Sequence, residues 1–302
     1  MPSKTKQLAE NAMMLGIALI LLFLSTYTIL SIVTVLFLPL PFLLLGLNRK
    51  TTTMVWISLA FAVLGSILMG VETATIAIAA SVTGSVMGIM YAKKGSALAA
   101  IVAGAATVFL GYMLMLAILT FVLGVNIQDL MQRSAQFRPE IMPKEQYDEI
   151  VKMLQMLLPA LFVIGSFVQS AVTHALARLI GKRLGRTVPA LPPIRNWTFP
   201  RSLLYYYFFA MMAMLVFSTS IEGTFWESAV YNLKSILDFV FFLQGLSFCL
   251  FAIHLKGWNR FTPVLIVSLF IFPLLTTILS LIGIFDLGIR LRDKLETRVK
   301  RG

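Results

Sequence analysis

The chain has 302 residues, 59% of them hydrophobic and only 13% charged, with a mean hydropathy of +0.89. Ordinary soluble domains carry about a quarter charged residues, so a water-soluble globule is excluded. The net charge of +12 sits in short clusters between apolar runs, a placement that serves membrane topology and anionic lipid rather than nucleic acid, and one cysteine, Cys249, excludes an intramolecular disulfide.

The apolar runs are close to the ~20 residues a helix needs to cross about 30 Å of hydrocarbon. They do not alternate polar and apolar residues as barrel strands do. The pattern predicts an all-α fold, a polytopic transmembrane helical bundle of eight or nine spans.

Lys4 and Lys6 precede an apolar stretch, residues 12–47, without a clean cleavage site. It reads as a retained first span and a second short one, with a turn within 25–31. Asn48-Arg49-Lys50 comes next, then runs at 54–69 and 75–91 flanking Glu72, closed by Lys93 and Lys94. A fifth run, 97–123, leads into a polar stretch, 126–155, where Asp129, Glu140, Glu145, Asp148 and Glu149 face Arg133, Arg138, Lys144 and Lys152. From Pro143 this stretch reads as an outer amphipathic helix lying on the membrane, or as a lid over an outward-open cavity.

The sixth run, 157–176, ends in a segment holding Arg178, Lys182, Arg183, Arg186, Arg195 and Arg201 and no acid. Three further runs follow at 203–220, 229–253 and 262–284, separated by Glu222 and Glu227 and then by Lys256 and Arg260. The expected organisation is a six-span membrane unit at 1–185 containing the outer segment, a basic cytoplasmic connection at 186–201, and a three-span unit with a basic tail at 202–302.

A cytoplasmic amino terminus puts every basic connection inside and every acidic one outside, as topology requires. Trp56, Trp197, Trp226 and Trp258 fall near span ends and read as interfacial anchors. The tail is the exception. Nine spans leave Arg290, Arg292, Lys294, Arg298, Lys300 and Arg301 outside with only Asp293 and Glu296, whereas a last run re-entrant about Pro273 gives eight. Both counts stay open at this stage.

Small residues four apart let helices approach closely in lipid. Gly84 with Gly88, Ala100 with Gly104, and more weakly Ala12 with Gly16 follow that pattern, as packing within the bundle or as docking faces for another subunit. The eighth run is the most polar. Its Asn232, Lys234, Asp238 and Gln244 are candidate substrate-binding residues, since polar and ionisable groups inside a span are costly, and Lys234 and Asp238 are spaced for an ion pair. Gln169, Ser170, Thr173 and His174 form a second polar cluster. Two histidines without metal-ligand spacing, and no phosphate-binding glycine loop, predict no metal, no cofactor, no nucleotide hydrolysis and no enzymatic activity.

The stretches TGSVMGIMYAKKGSALAAIVAGAA, NLKSILDFVFFLQGLSF and LIGIFDLGIRLRDK resemble the YybS, or DUF2232, family of uncharacterised bacterial membrane proteins. The matching positions include Gly84, Gly88, Asn232, Gln244, Gly245, Gly283 and Asp286. This resemblance implies a multi-pass protein of the bacterial cell (inner) membrane. A more distant likeness, over residues 1–185, is to the S components of energy-coupling-factor vitamin transporters, which bind substrate and dock a transmembrane coupling subunit through small residues on the first helix. That likeness implies a membrane protein that binds or helps transport a small solute without its own ATPase, partnered by coupling and ATPase subunits. The alternative is a scaffold or regulatory protein that docks another membrane protein and contacts membrane lipids through its basic loops.

Overall fold

The computed structural model describes residues 4–125, 142–221 and 223–301. Among them every regular element is helical: α1 (Lys4–Tyr27), α2 (Ser31–Phe37), α3 (Leu40–Gly46), α4 (Thr51–Met69), α5 (Thr73–Lys94), α6 (Ala97–Ala117), α7 (Lys144–Arg183), α8 (Ser202–Ile221), α9 (Phe225–Leu255), α10 (Thr262–Ile271), α11 (Leu274–Ile289) and α12 (Leu291–Arg301). Residues 126–141, the first part of the expected outer segment, and Glu222 lie outside the described residues.

Among the described residues six helices are long and apolar enough to cross a membrane: α1, α4, α5, α6 with its π-helical extension to Val122, α7 and α9. The α11–α12 pair makes a seventh if its 76° bend lies within one span, and shorter apolar helices occur at Val33–Gly46 and Ser202–Val216. The chain is thus a multi-pass helical membrane protein. Ile20, Phe23, Leu59, Ile67, Leu110, Phe208, Phe209 and Leu215 are exposed on these helices, the apolar outer surface that lipid would cover.

Proline and glycine set the breaks. Pro39 separates α2 from α3, because its ring has no N–H and crowds the preceding turn. Gly95, left-handed at φ 61°, ends α5, and Ser96 caps α6 by accepting the Ala99 N–H at 3.3 Å. The last apolar run is broken at Phe272, whose backbone leaves the helical region at φ −121° and ψ 85°, as a following proline favours, so α11 starts after Pro273.

The segment from Pro143 is no separate surface helix. It forms the first turns of α7, which runs unbroken for 40 residues through Pro159. At 1.5 Å per residue that is about 60 Å, twice the hydrocarbon thickness.

The chain divides into two compact units, Met1–Pro139 with Gly165–Leu191, and Glu140–Ile164 with Pro192–Gly302. The first unit packs two cores on either side of α3. Leu22, Leu38, Phe42, Met54 and Phe61 form one, with the Phe42 and Phe61 rings 4.9 Å apart; Leu43, Leu44, Met87, Tyr91, Ala100 and Ala177 form the other. At one end of this unit Glu10 accepts hydrogen bonds from Arg49, at 2.7 Å, and from Arg186, which also donates to the Leu44 carbonyl. Partial burial pulls the Arg186 pKa below its ordinary value. At the other end the Tyr27 hydroxyl donates to the Met69 carbonyl at 2.6 Å. In the second unit α9 and α11 make the main pairing, and Tyr207, Leu237, Phe241 and Leu287 form the core.

Candidate functional site

The four polar candidates on α9 do not converge on one cavity. Each is engaged by a different part of the second unit.

Asn232 completes the backbone of α7. Proline in a helix interior removes one hydrogen bond and crowds the carbonyl four residues back, opening that turn. Next to Pro159, the Asn232 side-chain amide accepts the Ala160 N–H at 2.7 Å and donates to the Met156 carbonyl at 2.7 Å. A regular helix would pair those two groups with each other; here a side chain from α9 bridges them, as polar residues do at proline kinks in membranes. The Ser228 hydroxyl reaches the Met156 carbonyl as well, at 3.2 Å.

Lys234 and Asp238 form the expected ion pair, 2.7 Å apart. Their side chains are 31% and 37% exposed, and Lys234 lies 5.8 Å from the centre of the Tyr207 ring. The Asp238 backbone carbonyl, not its carboxylate, ties α11 by accepting the Ser280 hydroxyl at 3.2 Å.

Gln244, fully buried, belongs to a polar knot. Its amide donates to the Asp286 carboxylate at 2.6 Å and accepts the Phe199 N–H at 3.0 Å. The same carboxylate oxygen accepts from Arg292 at 2.9 Å. Arg292 also donates to the Arg195 carbonyl and to the Ser247 hydroxyl, which lies within hydrogen-bond distance of the Ile194 and Trp197 carbonyls. This knot fastens the 192–199 connection and α12 to the α9–α11 pair, and the hydrogen bonds of Asp286 and Arg292 in it are charge-assisted. Beside it the two helices touch backbone to backbone. A Cβ on Gly245 would run into the Leu279 carbonyl, and one on Gly283 would lie 2.8 Å from the Gly245 nitrogen.

The small-residue pairs separate into two kinds. Gly84 and Gly88 press α5 onto α3, where a Cβ at Gly84 would lie 2.9 Å from Phe42 Cβ and one at Gly88 2.9 Å from Gly46 Cα. Ala100 is fully buried, and Gly104 meets Met87 and Ser170. These are contacts within the chain. By contrast, Ala12 is exposed and Gly16 has no atom within 4 Å of where its Cβ would stand, so this face of α1 is open.

The first unit holds the other polar cluster. Ser170, Thr173 and His174 share one face of α7 by their spacing. Tyr91 and His174 share a 2.6 Å hydrogen bond, the Ser170 hydroxyl donates to the Ile101 carbonyl at 2.8 Å, and the Tyr112 hydroxyl donates to Gln169 at 2.8 Å. Thr107 and Thr83 meet at 3.2 Å. Thr173 is fully buried and its hydroxyl has no hydrogen-bond partner among the described residues. A buried polar group left unpaired costs about 1–3 kcal/mol. The hydrogen-bonding groups of the seam are neutral, with the Arg178 cation near its Tyr91–His174 end, and neutral groups suit an uncharged polar group better than an ion.

Sequence reasoning overlooked Arg292, counted among the loose charges of the tail, and Ser247. A buried acid near a run of arginines was the available signal. No group of three or more potential metal ligands occurs among the described residues. An open groove of the second unit, lined by Phe209, Met212, Val216, Trp226, Val230 and Leu233, is apolar and suits a lipid chain.

Residues 15–287 match the family profile described as "Predicted membrane protein (DUF2232)". The chain is also 25% identical over 312 aligned positions to "Uncharacterized protein YybS" of Bacillus subtilis (strain 168), covering 97% of this chain and 99% of the relative. No solved structure matches. With the profile covering most of the chain and the relative aligned over nearly its whole length, the protein belongs to the DUF2232 family of membrane proteins.

Proposed function

We propose that the protein is a solute-binding membrane subunit, S-component-like, that binds or helps move a small uncharged polar solute. It has no ATPase and no enzymatic activity of its own, and it takes energy from partner subunits. The observation that carries this reading is the unpaired Thr173 hydroxyl in the polar seam of the first unit. A ligand hydrogen bond is the simplest compensation for a donor and acceptor kept so deep.

In this reading the amino terminus is cytoplasmic and the membrane is the bacterial cell membrane. The meeting of Arg49 and Arg186 at Glu10 supports that orientation, because it gathers two basic connections at one end of the unit, beside the start of α1.

The open Ala12–Gly16 face favours a second reading, a scaffold that docks another membrane protein. Native mass spectrometry of the full chain, purified in mild detergent, separates the two. The solute reading expects a retained small molecule that is lost in Thr173→Val while the fold persists. Recovery of the chain empty, with Thr173→Val only raising thermal stability, overturns it. A co-purified membrane protein lost in Gly16→Leu, with no solute, supports the scaffold.

A further inference from the structure

α12 carries seven charged residues in eleven, so it cannot lie in hydrocarbon. It does not continue the direction of α11. Arg290, at φ 54° and ψ 57°, holds the left-handed conformation rare for residues other than glycine and asparagine, and the chain turns there by 76°. Arg292 fastens the turn from the far side by reaching back to Asp286 and Ser247. With α11 standing across the membrane, a helix bent away from it by 76° runs along the surface.

The sequence of α12 suits that position. Leu291, Leu295 and Val299 recur at four-residue spacing as an apolar stripe, and Leu291 and Leu295 are only half-buried. Lys294, Arg298 and Arg301 recur at spacings of four and three beside it, with no acid among them. The acids Asp293 and Glu296 fall on the other side of the helix, by the same 100° per residue count. Arg292, taken up by Asp286, is not part of this basic flank.

We infer that α12 is an interfacial helix that binds the anionic headgroups of the membrane in which the chain sits, with the Asp286–Arg292 pair and the left-handed Arg290 setting its angle. An apolar stripe flanked by cations is the pattern of surface-lying helices, and each cation near an anionic surface adds to the attraction. The inference is independent of whether the protein binds a solute. Basic residues held at an anionic surface do not by themselves report a further crossing.

The test uses the full chain with a carboxy-terminal tag in lipid nanodiscs, cleaved by a protease specific for glutamate. Cut at Glu296, the chain loses its tag; cutting at the exposed Glu145 serves as the internal control. Nanodiscs containing phosphatidylglycerol are expected to slow tag loss about tenfold relative to pure phosphatidylcholine, with cleavage at Glu145 unchanged. High salt and the triple variant Lys294→Gln, Arg298→Gln, Arg301→Gln are each expected to remove the protection. Equal rates in the two lipids, or protection that survives the triple variant, overturn the inference and leave α12 held by the chain alone.

Discussion

The two units treat buried polarity in opposite ways. In the second, the buried acid, amide and guanidinium of Asp286, Gln244 and Arg292 are bound to one another and to backbone carbonyls, and the Asn232 amide fills the gap beside Pro159. In the first, the interior is lined with hydroxyls and a Tyr–His pair, and one hydroxyl, Thr173, is left over. Polar groups in the second unit act as fasteners between helices. Those in the first also join helices, at Tyr91–His174, Ser170–Ile101 and Tyr112–Gln169, but leave the Thr173 hydroxyl over, and for that reason the proposed ligand is assigned there.

Breaking the knot is the most damaging way to test this contrast. Asp286→Ala strands the buried Arg292 charge and the Gln244 amide, an expected loss of about 3 kcal/mol or more. Reversible unfolding of the full chain in detergent measures it, and a loss below 1 kcal/mol would reduce the knot to a surface contact. Asn232→Ala comes next, at about 1–2 kcal/mol, since it strips partners from the Met156 carbonyl and Ala160 N–H. The sharper form is a double-mutant cycle. Pro159→Ala lets those groups pair within α7, so it is expected to recover much of the loss in the Asn232→Ala background. Additive effects would show that the amide and the proline act separately.

Thr173→Val has the opposite sign. In chain stripped of ligand it is expected to stabilise by about 1 kcal/mol, because it removes an unpaired hydroxyl at nearly constant shape. Destabilisation in ligand-free chain would mean that the hydroxyl has a partner and that the contrast between the units fails. Lys234→Ala is expected to change stability least, by under 1 kcal/mol, given how exposed that pair is.

Much of the architecture could be read from the residues. The apolar runs located the long helices, the turn expected within 25–31 contains the end of α1 at Tyr27, and the spacing of Gly84 and Gly88 pointed to a close helix contact without naming α3 as the partner. The roles of the polar residues on α9 were not readable, for a physical reason. What Asn232 does is decided by a proline 73 positions earlier, and what Gln244 does by an acid 42 positions later. Polarity inside an apolar run signals cost, but the partner that offsets it lies on another helix. The helix from Pro143 differs from expectation for a related reason: charge in its first turns implies a boundary, while the backbone continues as one helix to Arg183.

The Asn232 bridge also bears on the order in which the protein is made. Synthesis runs from the amino terminus, so the Met156–Ala160 turn enters the membrane 72 residues before the side chain that completes it. Until α9 arrives, α7 carries a defect in a medium that supplies no water to repair it. The helix is therefore unfinished as an independent inserted segment, and its final geometry is a late event in biogenesis, set when the carboxy-terminal helices dock.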